Sequence, residues 1–367
     1  MSASPPTTRP ALRQPGTAAR LGAMLGVCVV ICFATGVFSH WLQHPPQWFT
    51  APRSPAWLYQ ATQGLHIASG VAAIPLLLLK LAAVYPKLFA RPVIGSPARL
   101  AERMATAVLV ASMLFQLFTG LLNIAQWYPW RFFFPAAHYA TAFVVLGAVS
   151  VHLAIKLPLV VEEFRRRTAQ PAPPGVSRRA VLGAGLAAAG MSVLVVGGQS
   201  IPALHRLAVL APRSGKGPQG MPINRTARAA GVEQHAASPD FRLVLDGPRR
   251  VELSLDQLRA LPQHTVRLPI ACVEGWTQYA WWSGVRVADL AALAGLDGVD
   301  LRFRSLEQGL YAQSTLEVAK AQDPTSLLAL RLSGADLDLD HGFPCRLIAA
   351  ARPGVEQTKW VARIEAA

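Results

Sequence analysis

Five stretches of this chain run for about twenty residues almost without charge, and they limit what it can fold into. Residues 21–38, 105–125 and 180–200 carry no charged side chain, 132–155 holds only His138, His152 and uncharged residues, and 57–79 is interrupted only by His66. At 1.5 Å rise per residue, ~20 apolar residues in a helix cross the ~30 Å hydrocarbon core of a bilayer. The sequence therefore predicts about five transmembrane helices. Composition agrees: 52% of residues are hydrophobic and 15% charged, against ~25% charged in a soluble domain.

The net charge of +15 invites a nucleic-acid reading, and its distribution excludes one. Residues 1–220 hold 19 Lys and Arg against 3 Asp and Glu, whereas 221–367 hold 16 against 17. A nucleic-acid binder carries a basic patch on its folded domain. Here the excess flanks the apolar runs and so acts as an orientation signal. Arg9, Arg13 and Arg20 precede span one. Lys87, Arg91, Arg99 and Arg103 follow span two, and Arg165, Arg166, Arg167, Arg178 and Arg179 follow span four. The two loops of the other side offer only Arg53 and Arg131, with Trp and Phe residues suited to the interfacial belt. The N-terminus is thus expected in the cytoplasm and everything after about residue 201 outside the cell membrane.

Ser177-Arg178-Arg179-Ala180-Val181-Leu182 resembles a twin-arginine export signal, with Val181 where Phe is usual and Gly183 where Lys is common. It is internal, whereas such signals stand at the N-terminus. Its other reading is an ordinary span held at its cytoplasmic end by two arginines. The segment 170–175 reads as a linker.

Past residue 220 the pattern changes to short alternating runs. Residues 241–245 and 249–253 around Asp246-Gly247 predict a hairpin, Ser254 to Gln257 a capping box, and 286–294 a helix ended by Gly295. Residues 299–303, 327–332, 346–350 and 359–364 are strand-like. The expected organisation is a four-helix membrane domain over 1–168, a linker with the fifth span and a tether over 169–220, and an α+β domain over 221–367.

Within that last domain, Arg267-Leu-Pro-Ile-Ala-Cys272-Val-Glu274-Gly-Trp276, with Trp282 and Gly284, resembles the cysteine loop of the sulfite-oxidase family of molybdoenzymes. The Cys-Val-Glu-x-Trp form is similar to the catalytic subunits of periplasmic methionine sulfoxide reductases. His341-Gly342-Phe343-Pro344-Cys345-Arg346, followed by Lys359-Trp360, matches a second family motif in residue type and spacing. The resemblance covers roughly 221–365. It implies a sulfite-oxidase-type molybdopterin-binding fold, with Cys272 as thiolate ligand of molybdenum and His341, Arg346 and Lys359 around the pterin phosphate. A soft metal site takes a thiolate, and an anionic tail takes Arg and Lys. The run 221–226, with Asn224 and Arg225, resembles the family's strap over the pterin. Glu274 is placed either as a proton relay or as a structural carboxylate. The sequence lacks the Cys-x-Gly pattern of sulfite oxidases proper and ends at Ala367, and both features point away from sulfite oxidation. Cys345 stands at a variable position of its motif and reads as a strand residue.

Ionisable residues inside spans are functional candidates. His138 and His152 are 14 residues apart. Fourteen helical steps of 100° return within ~40°, separated by ~21 Å, the spacing of b-type cytochromes that stack two haems. His66 on span two could face either one. Fourteen residues after His66 stands Lys80, so a second bis-histidine site is incomplete. Counted from the span starts, His66 and His138 are offset by roughly 9 Å, and His152 misses in the other direction.

The leading expectation is a membrane-bound molybdenum oxidoreductase acting on a small oxo compound, such as a sulfoxide or N-oxide, outside the cell membrane. A haem b in the membrane domain would exchange electrons with a quinone or another redox protein. The alternatives are the same molybdenum domain on a haem-free anchor in membrane lipid, a cofactor-free receptor or scaffold, and a b-type cytochrome with a structural domain attached.

Overall fold

The structure, a computed structural model, describes residues 10–91, 96–165, 176–212, 217–309 and 311–367. The expected linker 170–175, with Arg9, Arg166 and Arg167, lies outside them. Contacts divide the chain into two units, Met1–Val37 with Leu65–Gly197 and Phe38–Gly64 with Gly198–Ala367.

Five long helices appear where the apolar runs are: α1 Pro15–Gln43, α2 Leu58–Leu88, α3 Pro97–Ala125, α4 Phe134–Arg165 and α5 Arg178–Val195. All five are long and apolar enough to cross a membrane. The first four outrun their apolar stretches because a helix that leaves hydrocarbon continues through polar residues until a breaker stops it. Ser96 caps α3, its hydroxyl accepting from Arg99 N with Pro97 at the first helical position. Ser177 caps α5 by accepting from Ala180 N. The fifth helix stops at Val195, and Gly197–Ser200 forms a 3-10 turn, so that run is shorter as a helix than the sequence suggested.

In the first unit, α1 to α4 meet around Leu77, Met113 and Val145, with Leu25 and Val29 from α1. The fifth helix adds Ala189 to Leu21, Leu76 and Ala83 of α1 and α2. Large apolar side chains such as Val30, Leu78, Phe118 and Leu159 stay exposed on the outside. A water-facing bundle would not tolerate so large an apolar exterior.

The second unit contains two five-stranded sheets. The first has the order β2-β1-β10-β5-β6, built from β1 Arg242–Asp246, β2 Val251–Ser254, β5 Leu301–Ser305, β6 Gln313–Leu316 and β10 Val361–Ala366. Its β1–β10 pair is parallel and the others are antiparallel. The second runs β3-β4-β7-β8, with β9 also on β7, from β3 His264–Ala271, β4 Thr277–Arg286, β7 Leu327–Leu332, β8 Ala335–Asp336 and β9 Arg346–Ile348. Short helices connect them: α6 Ala227–Ala230, α7 Glu233–Ala236, α8 Leu255–Ala260, α9 Val287–Ala294 and α10 Val318–Ala321. The hairpin at 241–253, the Ser254–Gln257 capping box and the helix ended by Gly295 are all present.

Strand β7 explains the position of the site. Leu328 and Leu330 face one core with α9 and the first sheet, while Leu327, Ala329 and Leu332 face a second core with Met221, Trp276 and Trp282. A strand buried on both faces needs an unbroken apolar run, which 327–330 supplies. The second core reaches Cys272 and opens into a cleft.

Candidate active site

Strand β3 ends at Ala271, and Cys272 follows it. Gly275 N donates to Cys272 O at 3.0 Å and Cys272 N donates to Trp276 O at 2.9 Å, closing a tight hairpin between β3 and β4. Gly275 takes φ 92°, the left-handed conformation that such a loop requires of its last residue. Cys272 is 1% exposed and lines a narrow cleft that opens to solvent. Around it stand Pro222, Asn224, Trp276, His341, Arg346 and Lys359. The structure therefore gathers Cys272, Asn224, His341, Arg346 and Lys359 from three distant parts of the chain into one place.

The electrostatics are one-sided. Arg346 is 5% exposed, and its Nη1 donates to His341 O at 3.2 Å. Its guanidinium lies 5.6 Å from the Trp282 ring centre, and its Nε has no hydrogen-bond partner among the described residues. Burial pulls its pKa down to about 10, against the opposing pull of Cys272. Lys359 donates to Arg225 O and, at 3.0 Å, to Asp340 O, with its ammonium 4.3 Å from the Trp360 ring centre. Burial, then Arg346, pulls its pKa down to about 7. Glu307 and Asp340 oppose that fall from a distance, but among the described residues neither carboxylate makes an ion pair with Lys359 or Arg346; the Asp340 carboxylate accepts from Ala227 N at 2.7 Å. Two cations held in a protein interior without a contacting carboxylate cost several kcal/mol each. A site of this kind is completed by an anion, and a thiol beside it suits a soft metal. The residues present thus fit a metal–pterin carrying a phosphate.

His341 Nε2 donates to Pro218 O at 2.8 Å, which fixes the ring against the 218–224 segment. Burial lowers its pKa, so at neutral pH the ring offers Nδ1 as an acceptor. Trp360 is fully buried at φ 51° and donates from Nε1 to Leu339 O at 2.7 Å. It anchors the turn that presents Lys359.

One expected site residue points elsewhere and another is held in place by a neighbour. Arg225 does not line the cleft. Its guanidinium meets the Glu307 carboxylate at 2.9 Å, without hydrogen-bond alignment, and donates to Ala229 O, so only its carbonyl serves Lys359. Burial pushes the Glu307 carboxyl up against the pull of Arg225 and Lys359. Glu274 is 4% exposed and its Oε2 accepts from Trp276 Nε1 at 3.1 Å, as a structural carboxylate does.

Other residues near the thiol had no sequence signal. Tyr311 is within electrostatic reach of Cys272 and Glu274, and burial raises its pKa. Tyr59, fully buried with Leu42, Ala51 and Ala271, also feels Cys272, and its hydroxyl meets Ser39 Oγ at 3.1 Å. No periodicity or motif marks either one; tertiary folding brings them near.

In the first unit, His66 and His138 stand with ring centres 6.2 Å apart and planes at 71°. The offset of span positions is therefore removed by the helix starts and packing: α2 begins at Leu58 and α4 only at Phe134. His66 Nδ1 lies 3.0 Å from Cys32 O and 3.2 Å from Thr35 Oγ1, and His138 Nδ1 lies 2.9 Å from Thr119 Oγ1. Each ring thus commits Nδ1 and keeps Nε2 for other work, as metal-bound histidines do. His152 is not part of this pair; its charged neighbours are Lys80, Lys156 and Glu102. Lys80 donates to Ala18 O at 2.6 Å. Among the described residues, no group of three or more His, Cys, Asp or Glu could hold a metal ion by themselves.

The family described as oxidoreductase molybdopterin binding domain matches residues 229–367. Mitochondrial sulfite oxidase of Mus musculus is 29% identical over 146 residues, which are 32% of this chain and 27% of that protein. A putative protein-methionine-sulfoxide reductase subunit, YedZ1 of Azospira oryzae, is 31% identical over 131 residues, 35% of this chain and 49% of that protein. Among solved structures, the sulfane dehydrogenase SoxCD from Paracoccus pantotrophus is similar at 21% identity and TM-score 0.33, over 35% of this chain and 38% of that one. The chain spans 27% of the sulfite oxidase and about half of the YedZ1 protein, 49%.

Proposed function

We propose, from the premise that residues 229–367 belong to the oxidoreductase molybdopterin binding domain family and that the chain is an enzyme, that it is a membrane-bound reductase of small sulfoxides or N-oxides. Methionine sulfoxide is the first candidate substrate, by analogy with the YedZ1 relative. The observation that carries this reading is the shared cleft of Cys272, Arg346 and Lys359, in which two buried cations have no carboxylate in ion-pair contact among the described residues.

When bound, the molybdenum–pterin centre supplies oxygen-atom exchange coupled to two electrons. Cys272, as thiolate, would hold the metal from the protein side. Arg346 presents a planar fork and Lys359 a point charge to the pterin phosphate, and His341 accepts or donates at Nδ1. Asn224 closes the cleft from the 221–226 side. Tyr311 and Glu274, near the thiol, are the groups available to move a proton during turnover; Glu274 is held by Trp276, which favours Tyr311 for that work.

The helices would anchor the enzyme in the cell membrane, the N-terminus in the cytoplasm and the second unit outside, with Arg178-Arg179 serving twin-arginine export. His66 and His138 would hold one haem b. With metal–nitrogen bonds of ~2 Å, two imidazoles on one iron place their ring centres about 6 Å apart, which the observed 6.2 Å supports. Lys80, engaged with Ala18 O, and His152 support no second haem. Electrons would then pass between a quinone or another redox protein and the site outside. The haem-free anchor is the second reading, and a receptor or scaffold would have no use for the buried cations.

Metal analysis and an optical spectrum of the detergent-purified protein test this. Molybdenum with a sharp reduced Soret band is expected. His66→Ala should remove the Soret band and spare molybdenum. Cys272→Ser should abolish turnover while membrane insertion persists. A protein without molybdenum, or a fully active C272S, overturns the assignment.

A further inference from the structure

Three consecutive carbonyls of the cysteine loop accept side-chain hydrogen bonds from residues far away in sequence. Gln63 Nε2 donates to Val273 O at 2.9 Å, Gln199 Nε2 to Glu274 O at 3.1 Å, and Ser200 Oγ to Gly275 O at 2.5 Å. All three donors are buried, at 6%, 1% and 4% exposure. They are themselves held. Gln60 Nε2 approaches Ser200 O at 3.4 Å and its Oε1 accepts from Tyr279 OH at 2.8 Å, and His205 Nε2 donates to Gln199 O at 3.0 Å. Donors and acceptors belong to the same unit, which includes Phe38–Gly64 and begins again at Gly198.

A hairpin loop of three residues has few ways to fix its own orientation; the strand pairing of Ala271 with Thr277 holds its base, but not the peptides beyond Cys272. Here every peptide after Cys272 is tied. We propose that Gln63, Gln199 and Ser200 are positioning residues for the thiolate of Cys272, setting the angle at which its sulfur meets the metal. The inference rests on the molybdenum reading above. Gln63 also stands one helical turn before His66 on α2, so the helix that offers a haem ligand is the one whose side chain holds the peptide next to the metal ligand.

The role differs from simple stabilisation. Methionine has nearly the volume of glutamine and no donor, so Gln63→Met or Gln199→Met keeps packing and removes one bond. Losing outer-shell partners of a metal ligand typically costs about 10- to 100-fold in affinity or activity.

The test uses the full chain, purified in detergent with its cofactor. Molybdenum content, the Mo(V) electron paramagnetic resonance spectrum and kcat are measured for wild type, Q63M, Q199M and S200A. The expected result is full molybdenum content with altered Mo(V) g-values and kcat at least about tenfold lower. Gln43→Ala, which removes only contacts to Ser39, should leave spectrum and rate unchanged. Should Q63M fail to accumulate, Q199M and S200A answer the same question. Variants that load molybdenum and keep the wild-type spectrum and rate overturn the proposal, as does a loss of molybdenum content with no spectral change in the metal that remains. A wild-type protein without molybdenum would instead overturn the functional reading.

Discussion

A guanidinium sealed in a protein interior is expensive; Arg346 donates to one carbonyl, lies over an aromatic face and leaves its Nε without a hydrogen-bond partner among the described residues. An anion that reaches it gains charge-assisted bonds of ~1.5–3 kcal/mol each. Arg346→Ala should therefore lower cofactor affinity by about 100-fold, read as pterin and molybdenum content, since ~1.4 kcal/mol is a factor of ten. Arg346→Lys keeps the charge and loses the fork, and should fall between. Lys359 provides a pH signature. Its buried amine titrates at about 7 in the folded chain and near 10.5 when unfolded. Below about pH 7 the full penalty of the buried charge opposes folding. Between about 7 and 10.5 the unfolded chain holds a proton that the folded one has released, so stability rises with pH across that window. The cofactor-free protein should show this rise in thermal midpoint, and Lys359→Met should flatten it. The motif positions Cys272, His341, Arg346 and Lys359 were legible in the sequence because type and spacing carried them together. Tyr311, Gln63 and Gln199 were not, because nothing local distinguishes a tyrosine or glutamine that folding delivers to the neighbourhood of Cys272.

At the scale of elements, the turn 341–346 decides whether the two cations share a site. Gly342 has φ 106°, and a Cβ there would lie 3.1 Å from Lys359 Cβ and 3.2 Å from Arg346 Cβ. Gly342→Ala combines backbone strain with a wedge between both cations, and should destabilise the fold by about 1–3 kcal/mol. Thermal unfolding together with reduced cofactor content checks it; a variant with unchanged midpoint and loading would show that the turn tolerates a side chain. Elements with strong local signals were legible: the β1–β2 hairpin, the capping box of α8 and the apolar run of β7. Strand β6 escaped because Gln313-Ser-Thr-Leu316 has little apolar content and forms only as an edge beside β5. The first four helices were underestimated in length since apolarity measures lipid, whereas a helix runs until its caps.

On the scale of the whole molecule, charge asymmetry between loops is the available orientation signal. Single cysteines placed at Arg53 and Arg131 in a chain lacking other reactive thiols should label with an impermeant reagent in intact cells, and one at Arg103 should label only after lysis. The order of the two halves was readable because apolar runs and alternating runs differ in kind. The grouping of Phe38–Gly64 with the C-terminal half was not, since the segment sits between two apolar runs and bears no strand or motif. This discontinuity has a consequence for biogenesis. A piece of the catalytic unit is made long before the rest, and it is delivered by helices that insert early. A fragment starting at Gly198 should unfold about 5 °C or more below the corresponding unit of the intact chain, lacking the wall that Tyr59 and Gln63 build. On the proposed function, maturation of the metal centre would then depend on the first helix pair, and proteolytic release of the part after Gly198 alone should yield an inactive protein.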